Sequence, residues 1–65
     1  MSALEQTAET VAADLLPKVR AGYQFADGDI QTACDMHTHG NLSAGDLNRL
    51  TVAVLNRLRR AQSHQ

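Results

Sequence analysis

Residues 46–61 read DLNRLTVAVLNRLRRA, and the spacing of their apolar positions sets the fold class. Leu47, Leu50, Val54, Leu58 and Ala61 recur three or four residues apart, the repeat of one helical face. A half-buried strand would alternate instead. Thr51 and Leu55 lie on the edge of this stripe, and no glycine or proline interrupts it after Gly45. Upstream, Ser43-Ala44-Gly45-Asp46 is a capping-box-like start, with Asp46 at the third helical position. The arginines near the far end suit the negative pole of a helix dipole. A helix is therefore predicted over 44–61, with Gln62 to Gln65 frayed.

Moving outward, Ser2-Ala3-Leu4-Glu5 opens a first helix, read as a capping box in which Ser2 and Glu5 both satisfy free amides. Leu4, Ala8, Val11, Leu15 and Val19 form its apolar arc, with Gln6, Thr10 and Asp14 opposite. Pro17 removes a backbone donor and crowds the preceding turn. A kink or break is expected near 13–17, with Asp14 capping a short continuation to Gly22. Tyr23 to Gly28 reads as a loop that drops both aromatics onto the core. Asp27 or Asp29 caps a second helix, about 29–39, closed by Gly40. Its apolar face is thin: Ile30, Ala33, Cys34 and His37. The predicted fold is all-α, a small three-helix domain or helical hairpin with a short bracing helix. Helix 1 lies against helix 3 in an antiparallel arrangement.

The chain has 65 residues, one domain's worth, and such a domain buries only about 60% of the surface its unfolded chain exposes. Cys34 is its only cysteine, so no internal disulfide can staple it. Self-association, most simply a homodimer, is the expected reinforcement. Ala, Leu and Val supply the apolar content, and Tyr23 and Phe25 are the only aromatics. No basic residue precedes Lys18, so a secretory leader is not read here. The apolar run Leu50 to Leu55 is too short for a bilayer. With one free thiol, the expectation is a cytoplasmic protein with no membrane contact. The net charge of −1 hides a split. Residues 1–46 carry all seven acids against Lys18 and Arg20, whereas residues 47–65 carry four arginines and no acid.

Cys34, His37 and His39 form the most chemical-looking cluster. Cys34 and His37, three apart, share a helical face and are good zinc ligands. His39 joins them only if the helix has ended, and a fourth ligand would have to be His64 or come from a second copy. The paired ligand spacing of a closed zinc site is missing, so Cys34 reads as a small buried hydrophobe and His37 as its neighbour at the core's edge. Read as nucleophile and base, the same pair lacks a glycine-rich oxyanion turn and room for a substrate. Asp27-Gly28-Asp29 resembles the start of a calcium loop, but Thr32 and Thr38 stand where glycine and glutamate are required. No phosphate-loop or dinucleotide fingerprint occurs, and neither enzyme activity nor a cofactor is predicted.

The remaining candidates face outward. Arg49, Arg57 and Arg60 share one polar flank of helix 3, with Arg59 on the other side. Such a helix could track a phosphate backbone, and residues 31–50 loosely resemble a helix-turn-helix. Against this, Leu47 and Leu50 fall one residue late for the tight turn, and Asp46 would repel phosphate. Satisfying the dipole and neutralising helix 1 is the favoured role of these arginines. Val52, Leu55 and, on helix 1, Leu16 lie off or at the edge of the apolar arcs. They predict more apolar surface than three helices cover. The function expected from sequence is a non-catalytic regulator, adaptor or inhibitor that docks a protein partner through Leu16, Arg49, Val52, Leu55, Arg57, Arg59 and Arg60. The alternatives are a nucleic-acid-binding domain and a small structural zinc module.

Overall fold

A computed structural model describes residues 2–63, apart from the side chains of Asp27 and Ser63. They form three helices, α1 (Ala3–Arg20), α2 (Asp27–His37) and α3 (Ala44–Ser63), packed into an all-α bundle. The residues that line common grooves show the directions. Leu4 and Thr7 sit with Arg49 and Leu50, Leu16 with Arg57 and Arg60, and Val19 with Leu58, Arg59 and Gln62. Consecutive helices run antiparallel, and α1 packs most extensively on α3, as expected. Those two helices, however, run parallel, because the connections before and after α2 each reverse the chain. The antiparallel reading of that pair is thereby corrected.

The core is Ala8, Val11, Ala12 and Leu15 of α1, Ile30 and Cys34 of α2, and Leu50, Val54 and Leu58 of α3. Thr51 is buried among them and stays satisfied, its hydroxyl donating to the Leu47 carbonyl at 2.8 Å. Ala8 and Ala12 add small buried side chains to this core from α1, the helix that packs most extensively on α3.

Local chemistry explains the helix ends. Ser2 and Ser43 each accept a hydrogen bond from the backbone N–H three residues on, Glu5 and Asp46, both at 3.2 Å. The Glu5 side chain does not complete a capping box; it crosses to Arg57 of α3. Helix α2 begins two residues before the predicted start. Ala26 holds the N-cap position, and the Asp29 carboxylate accepts the Ala26 N–H at 3.1 Å. Neither aspartate is the cap; Asp29 acts from the third helical position. Pro17 does not break α1, which continues to Arg20, so Asp14 caps nothing. The carbonyl that loses its donor is that of Ala13, an exposed residue.

Both α1 and α2 end in a left-handed turn with paired closing bonds. After α1, Gly22 (φ 98°) donates to Val19 O and Tyr23 to Lys18 O, each at 3.0 Å. After α2, His39 takes the left-handed place at φ 56°, donating to Met36 O at 3.2 Å while Gly40 donates to Asp35 O at 3.0 Å. A Cβ makes that conformation costly. His39→Gly is therefore expected to raise stability by roughly 0.5–1 kcal/mol, about 2–8 °C in Tm. Thermal melts followed by circular dichroism check this; an unchanged or lower Tm contradicts it.

Candidate partner-binding surfaces

The fold divides the cluster that looks chemical: Cys34 turns into the core, whereas His37 and His39 line the α1–α2 groove. Cys34 faces the core and is fully buried. Desolvation pushes its thiol pKa up, and the neighbouring Thr51 hydroxyl pulls weakly the other way. His37, one turn on, points across to α1, where its Nε2 lies 3.3 Å from Asp14 Oδ2. His39 sits in the turn beyond the helix. Among the described residues, no three His, Cys, Asp or Glu side chains converge as a metal site would require. His64 lies outside the described residues.

The arginines are unequally engaged. Arg57 is partly buried between α3 and α1, where its guanidinium bonds Glu5 and reaches the Ala53 carbonyl at 3.4 Å. The pair joins residues 52 apart in sequence. Arg49 stands 4.0 Å from Asp46 one turn earlier, and Arg60 Nε donates to the Asn56 carbonyl at 3.4 Å. Arg59 is exposed.

The apolar candidates occupy separate faces. Leu16, half-buried, lines an outer groove with Arg57 and Arg60 between α1 and α3. Leu55, also half-buried, borders a different groove with Tyr23, Phe25 and Arg59. Val52 is 47% exposed on α3, and Arg49 lies at the other end of the bundle beside Leu42. The fold does not bring these residues onto one surface.

Sequence reasoning missed two exposed apolar side chains. Met36 is 71% exposed over the α1–α2 groove, and Tyr23 is 58% exposed although both loop aromatics were expected on the core. Only Phe25 packs there; Tyr23 leans on it with ring centroids 4.6 Å apart and planes tilted 51°. The parallel α1–α3 pair also places the last turn of α1 (Lys18 and Arg20) at the end of the bundle that carries Arg59 and Arg60. Two short connections, each forcing a reversal, were the available sequence signal for this grouping.

Among the described residues, no helix is long and apolar enough to cross a membrane. No protein-family model, curated protein or solved structure matches the chain.

Proposed function

We propose that this chain is a non-catalytic helical module that acts by docking a protein partner, in the manner of a small regulator, adaptor or inhibitor. The observation that carries this reading is the surface position of Tyr23, Met36 and Val52, large apolar side chains left outside a core that the other apolar residues fill. Single exposed apolar residues are ordinary. Three on a bundle this small, with Met36 and Tyr23 beside open grooves, offer anchor points that a partner's side chains can cover. A second copy of the chain is one such partner, and a domain of this size gains stability from it. The polar groups with chemical potential serve the fold: His37 ties α2 to α1, and Arg57 ties α3 to α1. That engagement also weighs against a phosphate-tracking face, since Arg57 meets Glu5 and Arg49 stands beside Asp46.

The test is affinity capture from native lysate, with and without nuclease, using the wild-type chain and the variants Val52→Asp and Met36→Asp. Both sites are exposed, so both variants should keep wild-type helicity. A protein captured by wild type, kept after nuclease and lost with one of the variants is the expected result. Sedimentation equilibrium reports whether that protein is a second copy. Capture abolished by nuclease, or indifferent to both variants, contradicts the proposal.

A further inference from the structure

We infer that the end of the bundle built from the last turns of α1 and α3 and the loop 21–26 is the docking site for an acidic, leucine-bearing segment of a protein partner; this rests on the protein-docking reading above. Three features meet there. The groove beside Tyr23 is lined by half-buried Val19, Phe25 and Leu55, over Ile30 and Leu58, which belong to the buried core. That lining suits an aliphatic anchor. Arg59 stands at the rim, with Gln24 and Gln62 able to bond a peptide backbone. Lys18 and Arg20, in the last turn of α1, lie at the same end of the bundle outside this groove, Lys18 in the adjoining α1–α2 groove, so Arg59 is the cation at the rim itself. Carboxylates on a partner would meet this rim with complementary charge.

The same geometry favours a peptide over nucleic acid. Asp29, at the start of α2, shares a groove with Lys18 and Phe25 and would oppose an evenly charged phosphate chain. A peptide can place separate carboxylates over the arginines and avoid it. Tyr23 is tilted onto Phe25, which leaves one exposed ring where successive bases would need a row of them.

The experiment uses three fluorescein-labelled probes against the full chain: a Glu/Leu amphipathic peptide, a Lys/Leu peptide of the same length and leucine placement, and an oligothymidylate. Anisotropy titrations run at about 150 mM salt, where only close charge pairs contribute strongly. The Glu/Leu peptide should bind roughly tenfold tighter than either other probe. Arg59→Glu and, separately, Tyr23→Ala should each weaken it by about five- to tenfold, with helicity unchanged. Equal or tighter binding of the Lys/Leu peptide, or full retention by Arg59→Glu, overturns the assignment. Preference for oligothymidylate also overturns it, in favour of nucleic acid. If the Glu/Leu peptide fails while Val52→Asp or Met36→Asp still abolishes capture of a protein from lysate, this site is wrong and the broader docking reading stands.

Discussion

Leu50→Ala should leave a large share of the protein unfolded in plain buffer at 25 °C. Leu50 is a fully buried core residue of α3, at the end of the bundle where the start of α1 and the turn after α2 meet it. Removing a buried leucine side chain costs about 2–5 kcal/mol, the lost transfer energy plus the cavity left behind. A domain of 65 residues has only about 3–10 kcal/mol to lose. No disulfide limits the unfolded chain, since the single cysteine is free. Urea unfolding followed by circular dichroism measures the change, with Val52→Ala as comparator. That exposed position should shift stability by no more than about 0.5 kcal/mol. A Leu50→Ala cost near the comparator's would mean that α1 and α3 do not pack as described.

The second large effect concerns Cys34. The thiolate is the reactive form, and a fully buried, desolvated thiol is neither ionised nor reachable. Alkylation in native buffer should wait on opening of the bundle. For an opening cost of about 3–5 kcal/mol, it should run roughly 10²–10⁴-fold slower than in urea-unfolded chain. The raised pKa also has a sign. Below the unfolded thiol's pKa, near 8.5, both states hold the proton and the stability contribution is complete. Above it, the unfolded chain releases the proton while the folded chain keeps it, so stability falls with rising pH. Urea midpoints measured between about pH 8 and 10 should decline more steeply for wild type than for Cys34→Ala. Prompt native-state alkylation, or identical slopes, would show the thiol to be accessible.

Both outcomes bear on what kind of molecule this is. A thiol that reacts only on opening is a packing residue, and its immediate histidine neighbour is committed to Asp14. On the proposed reading, recognition then falls to the surface, above all to the end where Arg59 and Tyr23 share a groove.

Much of the bundle was legible in the order of residues because local interactions set it. The 3- and 4-residue repeat of Leu47, Leu50, Val54 and Leu58 is a helical face in any context, and Ser43 capped it as read. Ser2 likewise started α1, and Gly22 ended it. Local rules failed where a distant group competed for the same atom. Glu5 was read as half of a capping box, yet Arg57 takes its carboxylate from the neighbouring helix. Asp14 looked like a cap for a broken helix, and His37 draws it into an interhelical contact instead. Pro17 does not break α1, which runs on to Arg20. The sequence by itself determined the helices, the identity of the core and the burial of Cys34, since periodicity and hydrophobicity act over a few turns. Tertiary structure alone decided which flanks became neighbours. By setting α1 and α3 parallel, it brought the last turn of α1, with Lys18 and Arg20, to the end of the bundle that carries Arg59 and Arg60, and it put Leu16 and Leu55 in different grooves, because direction and rotation are properties of packed helices and not of any one of them.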